Sequence, residues 1–482
     1  MLGVPRRQDR RVTDAAAPAD RSDVIAAVDA RMTETVARLS ELVRIRSVSA
    51  AGHDPAVMRQ SAVATAELLR AAGLHDVRLV EVEGAHPYVL GEWLGAGPDA
   101  PTVLLYAHHD VQPVGTPDRW TSPAFEPVER DGRLFGRGAA DDKAGILVHV
   151  AAIEAWLTTR GSLPMNVKVI IEGEEEIGSP HLDAFLAAHA ETLRSDVIVL
   201  TDLPNWQVGW PGLTVALRGM GEVKVTVRTL AQPIHSGMYG GPVPDALTAT
   251  VRLLATLHDD NGVVAVPHFA DGVRELTAPE RARLDELSVD ADDVRRDARM
   301  LDGVGYLGGP DSNRWEAIWY RPTITPIGMD VPSTIEAGNA LLAEVTTKLS
   351  CRFAPGQDPE AALDALTDHL TKSAPFGAQV EVTRGHSNAA WTCEPEGPAW
   401  DAAVAAMTQA YGRAPAAMGC GGSIPFVAPF SAAFGDAPCL LTGVEDPATN
   451  AHGEDESLHL ADFRNACVAE ALLLAELAAR LS

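Results

Sequence analysis

The chain has 482 residues, of which 46% are hydrophobic, so it can form a sizeable core and, at about 100–200 residues per domain, two to four domains. Its formal net charge of −27, from 39 basic and 66 acidic side chains, argues against nucleic acid and anionic membranes as partners. The apolar runs are short and interrupted, so we expect no membrane span, and the N-terminal segment lacks the apolar core of a secretory signal.

The cysteine pattern is informative about the compartment. The five cysteines are scattered and form no C-x-x-C motif, which argues against both a thiolate zinc site and a disulfide framework. A reducing, cytoplasmic location is therefore expected.

Helices and strands alternate through the first half of the chain, which predicts an α/β sheet. Helical periodicity is found at 23–46, 58–72 and 141–156, and strands are predicted at 77–82, 88–93, 102–106, 167–171 and 197–200. The last three strands are continuous apolar runs, as expected for strands that are buried on both faces. Because ligands collect beyond the carboxyl ends of strands in such sheets, the residues that follow these runs are the first candidates for a site.

The pattern changes after about residue 213. Strands are predicted at 222–229, 322–328, 343–353 and 378–384, helices at 243–258 and 359–373, and an acidic, helix-rich insertion with a Gly-rich turn at 271–309. This β-α-β-β-α-β order is typical of a small two-layer α+β domain. After about residue 387 the α/β character returns, with helices at 398–411 and 460–480, a Gly-rich turn at 419–423 and a strand at 438–443.

The simplest organisation is an α/β catalytic domain, with a mixed sheet flanked by helices, that is interrupted by an inserted α+β domain. We therefore divide the chain into a flexible N-terminal segment at 1–22, the first part of the catalytic domain at 23–213, the inserted domain at 214–386 and the second part of the catalytic domain at 387–482.

Residues with metal-binding side chains follow the buried strands. His108 and Asp110 come at the end of the strand at 102–106. A ligating histidine usually gives its second ring nitrogen to a carboxylate or carbonyl, and Asp110 is placed for that role. Glu174, Glu175 and Glu176 follow the strand at 167–171; one of them could bind a metal while its neighbour acts as a base toward water.

The remaining candidates are ambiguous when each is taken alone. Asp141 and Asp142, in the segment GRGAADDKAG, stand where the N-terminus of a helix ordinarily carries acidic residues. Asp141 is the better bridging ligand, and Asp142 could orient it or cap the helix. Asp202 could be an ordinary turn residue before Pro204, and His452 lies in a polar loop. Taken together, these motifs indicate a hydrolase with two metal ions that share one carboxylate.

Four longer motifs resemble those of the dinuclear zinc metallopeptidases that include carnosinase-type dipeptidases, carboxypeptidase G, acetylornithine deacetylase and succinyl-diaminopimelate desuccinylase. The resemblance runs from about residue 23 to the end of the chain and is greatest to the carnosinase-type dipeptidase branch. The motifs are YAHHDVQP at 106–113, EGEEEIGS at 172–179, IHSGMYGG at 234–241 and GGSIP at 421–425.

The resemblance implies two divalent metal ions per subunit; Zn²⁺ is expected, and Mn²⁺ and Co²⁺ also suit carboxylate and imidazole ligands. The implied ligands are, for one ion, His108, Asp141 and Asp202 and, for the other, Asp141, Glu176 and His452. The resemblance also makes Glu175 the general base, Asp110 the partner of His108, and the peptide bond between Asp141 and Asp142 cis.

By the same resemblance, the inserted domain would be a lid and dimerisation domain. His235 would then act across the subunits of a homodimer and stabilise the oxyanion in the partner's site. Arg352 would bind the C-terminal carboxylate of the substrate, for which a planar guanidinium is suited. Further substrate contacts are implied for Asn339, Ser423, Gly422 and His386.

The chain departs from the branch at Leu342, where a proline is usual, and at Gly419-Cys420, where a charged pair is usual beside the substrate pocket. We predict an enzyme, a metallodipeptidase that hydrolyses dipeptides or short peptides with a zinc-activated water and a glutamate base. An N-acyl-amino-acid deacylase or carboxypeptidase could use the same site, because the sequence does not define the acyl side of the pocket. A non-catalytic metal-binding protein is the alternative from a different class.

Overall fold

The computed structural model describes residues 20–287, 292–309 and 312–482, so most of the segment predicted to be flexible at 1–22 lies outside the described residues. The helices are α1 (Ser22–Val43), α2 (Pro55–Ala71), α3 (Lys143–Arg160), α4 (Leu182–Leu193), α5 (Ser236–Tyr239), α6 (Ala246–Leu254), α7 (Ala278–Leu287), α8 (Asp293–Asp297), α9 (Arg314–Tyr320), α10 (Pro359–Lys372), α11 (Pro398–Tyr411), α12 (Val427–Ala433) and α13 (Leu460–Leu481).

The strands are β1 (His75–Val80), β2 (Tyr88–Trp93), β3 (Thr102–His108), β4 (Val128–Arg130), β5 (Arg133–Phe135), β6 (Asn166–Glu172), β7 (Val197–Leu200), β8 (Gly212–Leu217), β9 (Gly219–Arg228), β10 (Ile234–His235), β11 (Thr323–Asp330), β12 (Ala340–Leu341), β13 (Glu344–Phe353), β14 (Gln379–Asn388), β15 (Trp391–Thr392), β16 (Ala416–Cys420), β17 (Cys439–Leu441) and β18 (Ser457–His459).

Nine of the described strands form one mixed sheet in the order β1-β2-β6-β3-β7-β17-β8-β15, with β16 also paired to β8. Strand β3 runs parallel to both β6 and β7, and β17 runs parallel to β7. Parallel strands end at the same edge of a sheet, so the residues after β3, β6, β7 and β17 lie along one edge. This arrangement gathers the site from distant parts of the sequence.

Strand β3 shows why the sheet is covered on both faces. Its side chains alternate, so Val103 and Leu105 lie in one hydrophobic cluster while Leu104 and Tyr106 lie in another. The first cluster includes residues of α1, α3 and α13, and the second includes residues of α4 and α12. The predicted mixed sheet flanked by helices is confirmed.

A second sheet of four described strands has the antiparallel order β11-β13-β9-β14. Residues alternate between buried and less buried along β9, and Val223, Val225 and Val227 lie in a core cluster with residues of α6 and α10. The order β9-α6-β11-β13-α10-β14 is the predicted one and produces the two-layer α+β arrangement. No helix among the described residues is both long enough and apolar enough to cross a lipid bilayer.

Two local predictions were wrong. The helix predicted to begin at Asp141 begins instead at Lys143, because Asp142 has a non-helical backbone (φ −128°, ψ 29°). The predicted Gly-rich turn at 419–423 includes the end of strand β16, which pairs in parallel with β8. The residues of that strand, Ala-Ala-Met-Gly-Cys, include no β-branched or aromatic side chain that would have indicated a strand.

Candidate active site

Asp141 lies between two histidines. One of its carboxylate oxygens is 3.1 Å from Nε2 of His108, and the other is 3.1 Å from Nε2 of His452. Each histidine also faces a second carboxylate: Asp202 Oδ1 is 3.5 Å from His108 Nε2, and Glu176 Oε2 is 3.2 Å from His452 Nε2. The residues thus form two candidate ligand sets that share Asp141.

The spacing of these atoms fits divalent metal ions. Two ligands of a tetrahedral zinc, each about 2.0–2.2 Å from the ion, are separated by about 3.3–3.6 Å. The nitrogen-to-oxygen distances of 3.1–3.5 Å between the two histidines and their three carboxylate neighbours are close to that separation. Three groups of side chains offer ligand atoms within 4.8 Å of one another: His108, Glu175 and Asp202; Asp141, Glu176 and His452; and Asp141, Asp202 and Glu445.

The electrostatics of the site also suit cations. Burial, together with the charge of Asp141, raises the pKa of Glu176 to about 7. Burial, together with the charge of Asp202, raises the pKa of Glu175 well above its usual value. Burial acts against the ionised form of Asp141 too, but hydrogen bonds from His108 and His452 hold its pKa below the usual range. Bound divalent cations would relieve this repulsion among carboxylates.

Asp110 links the two ligand sets. Its Oδ1 is 3.3 Å from His108 Nδ1, and its Oδ2 accepts hydrogen bonds from the Ser49 hydroxyl (2.7 Å) and the Glu176 backbone N–H (3.0 Å). Burial opposes the ionisation of Asp110, yet the His108 hydrogen bond and charge keep its pKa below the ordinary value. Nδ1 of His108 thus faces both the Asp110 carboxylate and the Asp110 backbone carbonyl, whose oxygen lies 3.1 Å away.

The backbone around Asp141 is held by Glu456. The Glu456 carboxylate accepts hydrogen bonds from the N–H groups of Gly138 (3.0 Å), Ala140 (3.1 Å) and Asp141 (3.3 Å). It also forms a buried ion pair with Arg137, with 2.7 Å between Nη1 and Oε2. Glu456 directly precedes β18, which pairs with β5, so the far end of the chain positions this loop.

Asp142 does not belong to any of the three ligand groups of the described residues. The peptide bond between Asp141 and Asp142 is cis, as the resemblance implies. The Asp142 side chain accepts a hydrogen bond from the His108 N–H at 3.2 Å and does not cap α3. A Cβ on Gly145 would lie 2.3 Å from Asp142 Oδ1 and 2.4 Å from Thr201 Oγ1, so this position requires glycine.

The three successive glutamates have different surroundings. Glu174 is buried away from the ligands, with Oε2 2.9 Å from Nδ1 of His181. Glu175 faces His108 and Asp202, and Glu176 accepts hydrogen bonds from the Gln112 backbone (2.9 Å) and side chain (2.8 Å). Glu174 is therefore held by His181, whereas Glu175 and Glu176 belong to the candidate metal-binding groups.

Glu445 is a carboxylate at the site that the sequence analysis did not single out. Its oxygens approach those of Asp141 and Asp202, and its backbone carbonyl accepts a hydrogen bond from the Asn205 N–H at 2.8 Å. Glu445 follows β17, which is parallel to β7, so it reaches the same edge of the sheet as Asp202. Its position beyond an apolar strand is the signal that could have identified it.

Three predicted site residues lie on the inserted domain and are exposed: His235, Asn339 and His386. His235 and Asn339 belong to neighbouring parts of one ribbon, because β10 pairs with β12 and the Ser236 N–H donates to the Asn339 carbonyl at 3.0 Å. Within the described ranges, no hydrogen bond or ion pair joins these three side chains to the metal-ligand candidates of the same chain.

The other predicted substrate contacts lie near the junction of the two sheets. The Ser423 hydroxyl donates to Asn388 Oδ1 at 3.0 Å, and the Gly422 N–H donates to the Cys420 sulfur at 3.3 Å. Arg352 is half-buried on β13. The structure therefore connects the GGSIP segment with β14 through the bond between Ser423 and Asn388.

Both departures from the pattern of the dipeptidase branch have local explanations. A Cβ at Gly419 would lie 2.6 Å from Cβ of Trp319, so a charged side chain has no room there. Leu342 donates its backbone N–H to Asp245 Oδ2 at 2.6 Å, a bond that a proline cannot make. Asp245 in turn caps α6.

Comparisons with known proteins agree with this geometry. The family model described as Peptidase family M20/M25/M40 matches residues 104–476. A cysteinylglycine-S-conjugate dipeptidase of Corynebacterium striatum is 36% identical over 378 residues, which are 78% of this chain and 81% of that protein. A Cys-Gly metallodipeptidase of Schizosaccharomyces pombe is 30% identical over 452 residues, which are 90% of this chain and 94% of that protein.

A solved structure supports the same relationship. Human carnosine dipeptidase 1 is similar with a TM-score of 0.83 at 26% identity, over 96% of this chain and 99% of that chain. The relatives named as dipeptidases do not favour the deacylase, carboxypeptidase or non-catalytic alternatives. The predicted resemblance to carnosinase-type metallodipeptidases is confirmed, and the chain belongs to peptidase family M20/M25/M40.

Proposed function

We propose that this protein is a dipeptidase with two divalent metal ions, Zn²⁺ being the expected pair, and that Cys-Gly dipeptides are among its substrates. The observation that carries the proposal is the position of Asp141, whose two oxygens each face a different histidine at 3.1 Å. One of the similar proteins is named for Cys-Gly and another for cysteinylglycine S-conjugates, which supports this choice of substrate.

The proposed ligands are the two sets described above: His108, Asp141 and Asp202 for one ion, and Asp141, Glu176 and His452 for the other. When bound, such ions polarise a carbonyl and make water more acidic, which is the chemistry that amide hydrolysis requires. Asp110 keeps His108 in the ring orientation that directs Nε2 toward Asp141.

Glu175 is the proposed general base. Its carboxylate lies within 4.8 Å of the ligand atoms of His108 and Asp202, while Glu174 is held by His181. Glu175 accepts a proton from water as the water oxygen bonds to the peptide carbonyl carbon. It then passes that proton to the amide nitrogen, which leaves as an amine when the carbon–nitrogen bond breaks.

Substrate recognition is assigned to residues around the GGSIP segment and the inserted domain. Arg352 binds the C-terminal carboxylate of the dipeptide, because its planar fork of N–H donors matches a carboxylate. Ser423, the Gly422 backbone and His386 supply the further contacts. These positions lie on or beside β13, β14 and β16, close to the junction of the two sheets.

The proposed active form is a homodimer, in which residues 214–386 serve as lid and dimerisation domain. His235 and Asn339 share one ribbon, and within the described residues neither is bonded to the metal-ligand candidates of its own chain. Large apolar side chains are exposed close to them in sequence: Met238 (74% exposed) and Ile335 (95% exposed). His235 of one subunit then stabilises the oxyanion in the site of the other.

We place the enzyme in the cytoplasm, a proposal supported by its cysteines. All five are free, and three of them are buried. A reducing compartment suits a protein with several unpaired thiols.

The proposal is tested with purified protein loaded with Zn²⁺, a panel of free dipeptides that includes Cys-Gly under reducing conditions, and N-acetylated amino acids for comparison. Glu175→Gln should keep both metals and lose about 10²- to 10⁴-fold in turnover. Glu191→Gln is the matched control, because this exposed glutamate pairs only with Arg194 in the described structure. Wild-type turnover in Glu175→Gln, or hydrolysis of the N-acetyl compounds alone, would contradict the proposal.

A further inference from the structure

Arg218 lies close to Arg352 at the start of a strand pair. Arg218 directly precedes β9, whose first two residues, Gly219 and Met220, pair with Phe353 and Arg352 of β13. Burial lowers the pKa of Arg218 to about 10, and the positive charge of Arg352 contributes to that shift. Two guanidinium groups of like charge are therefore close together in a partly buried place.

Neither guanidinium has a carboxylate partner in the part of the chain that the structure describes. Arg218 donates only to backbone carbonyls, from Nε to Gly421 at 3.0 Å and from Nη1 to Arg321 at 3.2 Å. Glu222, the acidic group whose charge acts on Arg352, pairs with Lys348 at 2.7 Å. Half-buried cations without a counter-ion are unfavourable, and an anionic ligand would remove the penalty.

Other arginines that are partly or fully buried in the described chain form ion pairs with carboxylates. Arg137 pairs with Glu456 at 2.7 Å, and Arg133 pairs with Asp446 at 2.8 Å. Arg321, whose carbonyl accepts from Arg218, directs its own guanidinium to Glu316. The absence of such a partner at both Arg218 and Arg352 distinguishes this pair.

The pair lies against the segment to which we assign substrate contacts. The Arg218 backbone N–H donates to the Gly422 carbonyl at 3.1 Å, and its Nε bond holds the Gly421 carbonyl. A Cβ on Gly421 would be 3.0 Å from Arg218 Nη2, so the guanidinium passes directly beside this glycine. Arg218 thus joins Arg352 to the GGSIP segment.

We propose that Arg218 is a second carboxylate-binding residue, which forms with Arg352 a two-arginine site for the C-terminal carboxylate of the dipeptide. The inference rests on the proposed function and makes it more specific. A guanidinium has five N–H donors; Nε and Nη1 of Arg218 hold its plane against the backbone, and Nη2 is available to the ligand. A substrate whose C-terminus is an uncharged amide leaves both arginines without an anion and is therefore disfavoured.

The test compares Cys-Gly with Cys-Gly amide, measured as kcat/KM for each substrate in the wild type, Arg218→Met and Arg218→Lys. The readout is the preference of each variant for the free carboxylate, a ratio that does not depend on the fraction of folded enzyme. We expect Arg218→Met to lower this preference by about tenfold or more, mainly through KM, as for the loss of a hydrogen bond to a charged group. Arg218→Lys should lower it less, because it keeps the charge but not the planar fork.

Arg228→Met, at the far end of β9, is the matched control, because the Arg228 side chain is 41% exposed and paired with Glu344 and Glu381; the preference of this variant should equal that of the wild type. An equal loss for both substrates in the Arg218 variants would show a purely structural role and overturn the inference, as would an unchanged preference. If Arg218→Met does not fold, the ratio in Arg218→Lys decides. A wild type that hydrolyses neither substrate would instead refute the proposed function.

Discussion

Arg137 and Glu456 form an ion pair sealed inside the protein, with 2.7 Å between Nη1 and Oε2 and side chains that are 1% and 0% exposed. The same carboxylate accepts backbone N–H bonds from the loop that ends at Asp141. The position of Asp141, the proposed shared metal ligand, therefore depends on a residue more than 300 positions away in the chain. Stability and metal binding should respond together when this pair is broken.

Glu456→Gln should destabilise the fold strongly. It keeps the shape of the side chain but leaves the Arg137 charge buried without a partner, and breaking a buried pair in this way costs about 3–5 kcal/mol. Urea unfolding of the metal-free protein measures this loss, and titration with Zn²⁺ should show weaker binding. The control is Glu344→Gln, which breaks an exposed pair with Arg228 and should cost about 0–1 kcal/mol. A similar loss of unfolding free energy in both variants would show that the buried Glu456–Arg137 pair contributes no more than an exposed one.

Asp141→Ala should lose both metal ions together, because each oxygen of Asp141 faces a different histidine. Asp202→Ala and Glu176→Ala should each mainly weaken one ion, since each residue faces only one of the two histidines. Metal content after dialysis against buffers of fixed free Zn²⁺ measures the difference. One tightly held ion in Asp141→Ala would show that this aspartate does not bridge.

The strand ends that form the site could be predicted because their signal is local. The apolar runs of β3, β6 and β7 are long enough to be recognised, and each leads directly into polar residues. Parallel pairing then brings those ends to one edge. The α/β sheet and the inserted α+β arrangement followed from the same patterns.

The supporting elements could not be predicted, because they depend on pairing between distant residues. Strands β4, β5 and β18 have three residues each, too few for a periodic pattern, yet they place Glu456 beside the Asp141 loop. Glu445 follows the predicted strand at 438–443, a local signal, but its approach to Asp202 depends on the pairing of β17 with β7. The contacts of Arg218 likewise depend on residues 103 and 203 positions away.

Glu172 should make stability depend on pH. Burial raises its pKa from 4.5 to about 7, although the Tyr106 hydroxyl donates to it at 2.8 Å. The folded state therefore binds a proton that the unfolded state has released between about pH 4.5 and 7, so this group's contribution to stability declines as pH rises through that window. Glu172→Gln is neutral at every pH. As the pH rises from about 4.5 to 7, its free energy of unfolding should therefore increase relative to that of the wild type by about 1–3 kcal/mol. Urea unfolding at pH 5 and pH 8 measures the change; a constant difference would contradict the assignment.

Glu445→Gln should weaken one metal ion. Its carboxylate adds a third oxygen donor to the group formed with Asp141 and Asp202, away from the pair of Glu176 and His452. We expect a loss of about 10- to 100-fold in affinity for the ion at the Asp202 side, the range typical of side chains that support metal ligands. Calorimetric titration with Zn²⁺ resolves the two ions. Unchanged affinity for both would exclude Glu445 from the metal site.

His235 should act on the partner subunit, and mixing inactive variants tests this directly. His235→Ala lacks the oxyanion group, and Glu175→Gln lacks the base, so each variant alone should be nearly inactive. In a mixed dimer, the His235→Ala subunit keeps Glu175 and receives an intact His235 from its partner, which restores one site of the two. Random exchange in a twofold dimer should therefore recover about a quarter of the wild-type activity.

Native mass spectrometry verifies that mixed dimers have formed. Mixed dimers without activity would place His235 in the site of its own chain, and a monomeric wild type would remove the basis of the proposal.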